Sequence, residues 1–320
     1  MNRPDASHQL RNMSNLAFRK LLAWILLASP AVSVAAEQEV ILFQPGQSSW
    51  EWLLVPSSHD GGKRMREGKN CLYCHDGEEK TIGNLIASGE KLEPAPIDGM
   101  PGFVQMKLDA SYDENMLHLT LKWQSPEMSQ PAGDESESTH LTVMLGTPAL
   151  SVAPIAGCWA ACHSDLPGMP DAQPGSTLTK YLPGSRTKMT RTGGGSDIRA
   201  EAELTSQMNE GQFLEYWQVV LDGGELITAT DGYFLEARAV NEDTAITAEV
   251  KSNGSDHAVE ITRPLNPSGP QRLALKEGEE YTLAIALHEN HASGRHHLTS
   301  FPLRFVLGSG DAEIVASPAQ

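Results

Sequence analysis

Cysteine is scarce in this chain. There are four in 320 residues, and all four fall in two short stretches, CLYCH (71–75) and GCWAACH (157–163). Basic residues are few as well: 24 Lys and Arg stand against 41 Asp and Glu, a formal net charge of −17. Such an acidic chain argues against a binder of nucleic acid or anionic lipid, whose phosphates it would repel. Beyond residue 36 there is no segment apolar enough to span a bilayer. Helical heptads are also few, while 28 glycines and 20 prolines lean toward strands and loops. No isolated acid–base pair with a clear catalytic spacing stands out.

The N-terminus carries the signal for location. Arg11, Arg19 and Lys20 lead into the apolar run LLAWILLASPAVSV, and Val34 and Ala36 suit a signal-peptidase site. Cleavage after about Ala36 is expected, with Met13 as an alternative start and delivery to the periplasm as the destination. The competing reading, an uncleaved anchor, meets a run that is short for a span and broken by Pro30. Removing residues 1–36 takes away Arg3, Arg11, Arg19, Lys20 and Asp5, so the net charge moves from −17 to −20. That surface suits a basic protein partner; simple solubility explains it equally well.

The two cysteine stretches admit three chemistries. In an oxidising compartment two disulfides are conventional, but they give no role to the histidine that closes each stretch. Zinc is the second reading, with four ligands drawn from two clusters. Covalent haem attachment is the third, and Cys-x-x-Cys-His is its recognised signature. Two thiols add to the two vinyl groups along one porphyrin edge, and the adjoining histidine turns under the ring to hold the iron. Cys71, Cys74 and His75 match this spacing directly. Cys158, Cys162 and His163 match it with one extra residue between the thiols. The favoured expectation is two covalently bound haem c groups, with His75 and His163 as proximal iron ligands.

Around these motifs the chain divides. Residues 37–100 read as an N-terminal haem-wrapping arm carrying the first motif, closed by the Pro/Gly-rich stretch NLIASGEKLEPAPIDGMPG. Residues 101–310 alternate apolar and polar positions: Val104, Met106 and Leu108, a DEN turn, then Leu117, Leu119, Leu121 and Trp123, a hairpin pattern. HLTVML, QFLEYWQVVL, YFLEARAV, TAITAEV, HAVEITRP, YTLAIALH and LTSFPLRFVL continue it. The prediction is a mainly β fold, an antiparallel β-sandwich. Residues 146–212 form a long loop carrying the second motif, and residues 311–320 a C-terminal tail. Loops of that length are uncommon and usually functional.

FQPGQSSWEWL before CLYCH, the strand LTVML before GCWAACH, and the late GRHHLTSFPLRFVLG together resemble a known family. They are similar to exported c-type cytochromes with an ethylbenzene-dehydrogenase-type haem-binding domain, related to the haem subunit of periplasmic molybdenum enzymes. The resemblance spans most of residues 41–308. It implies an immunoglobulin-like sandwich, electron transfer as the role, and a possible molybdenum-enzyme partner. In that subunit haem sits between a methionine and a lysine. Met144 falls near the methionine's place, but the lysine's place reads GRHHLTS, which has none.

An electron carrier usually gives each iron a sixth protein ligand. The candidates are His59 in the wrapping arm, Met144, Met169 after the second motif, and His288 and His297 near the last hairpin, with His296 beside them. His8, His118, His140 and His257 read as solvated positions. Trp159, inside the second motif, is the candidate for packing on haem; Trp50 and Trp52 are weaker ones, and Trp123 and Trp217 read as core. A dihaem carrier passing single electrons to a basic redox protein, or linked to a membrane quinol-oxidising complex, is the leading expectation. The alternatives are a dihaem peroxidase-like enzyme with one open iron and a subunit of a molybdenum oxidoreductase.

Overall fold

The computed structural model describes residues 37–45, 61–89, 99–126, 138–161, 180–189, 195, 197–269, 271–289 and 297–319. Thirteen strands lie among them: β1 (Gln38–Phe43), β2 (Phe103–Tyr112), β3 (Met116–Gln124), β4 (Thr139–Gly146), β5 (Leu214–Asp222), β6 (Glu225–Phe234), β7 (Arg238–Val240), β8 (Thr247–Asn253), β9 (Asp256–Pro264), β10 (Glu280–His288), β11 (Leu298–Thr299), β12 (Leu303–Leu307) and β13 (Ile314–Pro318). The mainly β, antiparallel expectation holds. The strands join edge to edge in the order β7-β6-β5-β4-β10-β11-β1-β2-β3-β9-β8. β12 pairs with β10, and β13 runs parallel to both β12 and β2. Residues 314–318 of the C-terminal tail are thus a strand that joins β12 to β2.

Alternation in the sequence sets the faces. In β2 the residues Val104, Met106, Leu108 and Ala110 are buried, and in β3 Leu117, Leu119, Leu121 and Trp123 are. The turn between them is closed by Asp113, whose Oδ1 accepts hydrogen bonds from the backbone N–H of Asn115 and Met116, each at 2.8 Å. One apolar face per strand must find cover, and here the sheet supplies it by folding back on itself.

A buried ion pair joins strands far apart in the sheet order. Glu215 of β5 and Arg263 of β9 are far apart in strand order, yet Arg263 donates Nε to Oε1 and Nη2 to Oε2 of Glu215, both at 2.9 Å. Each side chain is 1% exposed. Trp217 Nε1 and the Leu273 N–H also donate to Glu215, at 2.7 and 2.6 Å, and Arg263 reaches the carbonyls of Pro264 and Leu273. The guanidinium lies 5.3 Å from the centre of the Trp217 ring. Each Glu215 oxygen accepts two hydrogen bonds and the Arg263 guanidinium donates four, the kind of pairing a buried charge pair requires.

A second anchor holds the β6 side. Asp231 accepts from Arg272 Nε (2.6 Å), Asn241 Nδ2 (2.7 Å) and the Ala245 N–H (2.8 Å). Burial alone would raise its pKa; these donors outweigh burial and hold it below the ordinary carboxylate value.

The long 146–212 loop is not structureless where it is described. A helical turn, Ala153–Ala156, runs into a 3₁₀ turn, Gly157–Ala160, and a helix spans Glu201–Asn209. Arg186 pins the returning leg: it donates to the carbonyls of Gly195 (2.7 Å) and Glu236 (2.9 Å) and lies 3.8 Å from the centre of the Tyr181 ring. Turn-rich composition hides such local order.

Glu215→Gln leaves Arg263 buried without its counter-charge, so it should lower unfolding stability by about 3–5 kcal/mol in denaturant titration, whereas replacing both residues with apolar ones of similar size should recover most of that. Asp231 has a depressed folded pKa, so its contribution is present above the unfolded value and is lost as pH falls through the folded one. Asp231→Asn should therefore be less stable at neutral pH and lose less stability than the parent on acidification below about pH 4.

Candidate haem-attachment sites

The first motif sits on a surface turn. Leu72–His75 is a single helical turn preceded by Cys71, and the backbone N–H groups of Cys74 and His75 both point back to the Cys71 carbonyl, at 3.2 and 3.0 Å. This winding brings positions 71, 74 and 75 onto adjoining faces of one turn. Cys71 packs against the core and Cys74 is exposed; both are free thiols. Burial pushes the Cys71 thiol up to about 11, so it is neutral at physiological pH. His75 Nδ1 lies 2.8 Å from Glu78 Oε2. With the proton on Nδ1 shared with that carboxylate, Nε2 is the nitrogen that would hold an iron.

Glycine fixes this turn to the sheet. The helix Glu79–Ala87 follows the motif at once and lies on β1 and β2, burying Gly83 and Ile86. A Cβ on Gly83 would stand 2.0 Å from the Gly102 carbonyl oxygen, and one on Gly102 would stand 2.6 Å from the Asn84 nitrogen. Only two glycines permit so close an approach.

The second motif lies over the other half of the fold. Gly157 has φ +52°, and a Cβ there would meet Ala284 Cβ at 3.2 Å and Pro302 at 3.3 Å. The turn therefore rests directly on β10. Cys158 and Trp159 are buried, and Trp159 packs beside Phe43 and Phe301 with ring centres 5.9 and 6.1 Å away. Its described contacts are thus to other aromatics. Cys162, His163 and Met169 lie outside the described residues, as do His59, His296, Trp50 and Trp52, the predicted signal residues 1–36, and the wrapping stretch 46–60.

Antiparallel register shows what shares a face with this turn. Ala284 pairs with Met144, Ala286 with Thr142, and His288 with His140. Side chains two apart along a strand point the same way, so Met144 and His288 stand on the face that Gly157 covers. Met144 is level with the second motif, and His288 is about 13 Å farther along the strand. His288 stacks on His297, ring centres 4.9 Å apart, and meets His140 edge-on at 6.2 Å. His140 is therefore not simply solvated: cross-strand packing half-buries it, and burial, then the nearby Arg238, lowers its pKa. His257 is likewise packed, stacked on Trp123 at 5.1 Å and held between Ser252 and Ser125 by hydrogen bonds of 2.9 and 2.8 Å. His118 faces Thr262 at 3.2 Å. Trp123 and Trp217 are in the core. Among the described residues, no three His, Cys, Asp or Glu side chains converge as a metal cage.

Over 279 residues the chain is 31% identical to cytochrome c-552 of Stutzerimonas stutzeri, covering 86% of this chain and 87% of that protein. The chain belongs to the c-type cytochromes. Cytochrome c-551 of Rhodocyclus tenuis is 25% identical over 297 residues, 90% of this cytochrome and 99% of the relative. No family model matches. Two structures of a carbohydrate-binding module of family 9 from Caldicellulosiruptor kristjanssonii, with cellotriose and with glucose, align over 62% of this chain and 65% and 66% of theirs, at a TM-score of 0.27 and 7% identity. Membership means covalently bound haem c and a part in electron transfer. The residues fit such a group: two free thiols one helical turn apart, with an imidazole beside the second, match the reach of a porphyrin edge and its iron.

Glu78 is the partner of His75 that motif reading passes over. Its only signal in the sequence is a carboxylate three positions after the motif histidine, one helical turn on. With His75 as iron ligand, this hydrogen bond would make the imidazole a stronger donor to the metal. Glu78→Gln in this cytochrome should raise the reduction potential of a haem bound at this motif by on the order of tens of millivolts, as read by redox titration.

Proposed function

We propose that this chain is a dihaem cytochrome, exported to the periplasm, that carries single electrons between respiratory partners. The observation that carries the reading is the doubled attachment motif: every cysteine in the chain belongs to one of the two, and each ends in histidine. Cys71 and Cys74 hold the first haem through thioether bonds and His75 is its proximal ligand. Cys158, Cys162 and His163 do the same for the second. Bound haem supplies a one-electron iron couple; the protein sets its potential through ligands, burial and hydrogen bonds.

Met144 and His288 are the described distal candidates with support from register, since both share the face beneath the second motif. His297 joins through its stack on His288. His59 and Met169 remain candidates from sequence. The ethylbenzene-dehydrogenase-type resemblance is supported by the β frame and by Met144 on the strand that precedes the second motif. It keeps open a place as haem subunit of a molybdenum oxidoreductase. The formal charge of −20 after signal removal favours a basic redox protein as one partner, or a membrane quinol-oxidising complex.

Spectroelectrochemical titration of the holoprotein is the test. Two one-electron waves, with no binding of carbon monoxide by the ferrous protein at neutral pH, are expected of a six-coordinate carrier. Carbon monoxide binding at one iron would replace this reading with the peroxidase-like enzyme.

A further inference from the structure

In a chain that is acidic as a whole, basic residues gather beside the first haem-attachment turn. Four of the chain's 24 basic residues, Lys63, Arg64, Arg66 and Lys69, fall within the ten positions before Cys71, against one acid, Glu67. All four are exposed. The helix Gly61–Arg66 turns Gly62 and Met65 inward, which leaves Lys63, Arg64 and Arg66 on its outer side. Glu67 is taken up by Arg64 at 3.1 Å. Beyond the motif the sign reverses, with Asp76, Glu78 and Glu79 following His75.

A run of charge alone is usually just a solvated face, but a second feature sits in the middle of this one. Tyr73, between the two attachment cysteines, is 55% exposed, among the most exposed large apolar side chains described. Two cations hold its ring: Lys69 Nζ is 5.0 Å and Arg64 Cζ 5.8 Å from the ring centre. An aromatic surrounded by cations and left open to solvent has the composition of an interface anchor, since tyrosine and arginine are enriched where proteins meet.

We propose that this basic collar, Lys63, Arg64, Arg66 and Lys69 around Tyr73, is the docking surface of an acidic electron-transfer protein that exchanges electrons with the first haem. The inference rests on the carrier reading above and divides the surface between partners. An acidic partner reads the collar by its local field, whereas a basic one is drawn to the remaining acidic surface. At an ionic strength near 0.15 M the Debye length is about 8 Å, so a docked partner feels the collar more than the distant net charge.

The experiment is stopped-flow reduction of the ferric holoprotein by the hydroquinone of an acidic flavodoxin, at low and high salt. Lys63→Glu with Lys69→Glu should slow one haem's reduction about 3–10-fold at low salt. The control Lys188→Glu with Lys276→Glu carries the same change of charge on exposed residues elsewhere and should leave that phase within about 1.5-fold. The neutral pair Lys63→Gln with Lys69→Gln should fall between parent and reversal, so the result does not depend on the reversed variant folding. Hexaammineruthenium(II), a cation, should reduce the same haem faster in the Lys63→Glu, Lys69→Glu variant. Equal slowing by both double reversals would show that only net charge matters and overturn the proposal. So would no slowing by either. A protein with no haem spectrum would instead overturn the carrier reading beneath it.

Discussion

Glu215 and Arg263 share almost no water, and the two layers of the fold close on them. Neither charge could be buried alone, because an uncompensated carboxylate or guanidinium in the interior costs several kcal/mol. Together, with Trp217, the Leu273 N–H and two backbone carbonyls completing their hydrogen bonds, they mark one relative placement of β5 and β9. A layer slipped by one residue would turn every apolar side chain of a strand outward and leave this pair broken. The frame that carries the motifs is fixed by that constraint.

The frame treats the two motifs differently. The first lies on an exposed turn whose following helix is pressed to β1 and β2 through Gly83 and Gly102. The second is laid on β10 through Gly157, with Cys158 and Trp159 already inside the core. A haem held at the surface has short access for an electron, while one against a sheet is shielded from water, and burial is one of the levers on potential. The stretch before the first motif is basic in a chain that is acidic as a whole.

Much of the frame was legible from side-chain alternation. Val104, Met106 and Leu108, then Leu117, Leu119 and Leu121, announce β2, β3 and their faces, because a half-buried strand has a period of two. The parallel strand at 314–318 was not legible: its partners, β12 and β2, are brought together only by the folded sheet. The helix Glu201–Asn209 was hidden in turn-rich surroundings. Cys71, Cys74 and His75 are local in sequence and so could be read as a unit. His140 was missed because its surroundings, His288 and through it His297, come from strands distant in the chain. His257 was missed for the same reason, since Trp123 and Ser125 reach it across the sheet.

The proposed function requires two covalently attached haems, one at each Cys-His motif. The most direct measurement is a pyridine haemochrome spectrum together with the intact mass of denatured protein, expressed with the haem-attachment machinery. A mass increase of two haems that survives denaturation, carried by peptides containing residues 71–75 and 158–163, is the expected result. A mass increase of one haem would mean that the second motif binds none, and no increase at all would contradict covalent haem attachment.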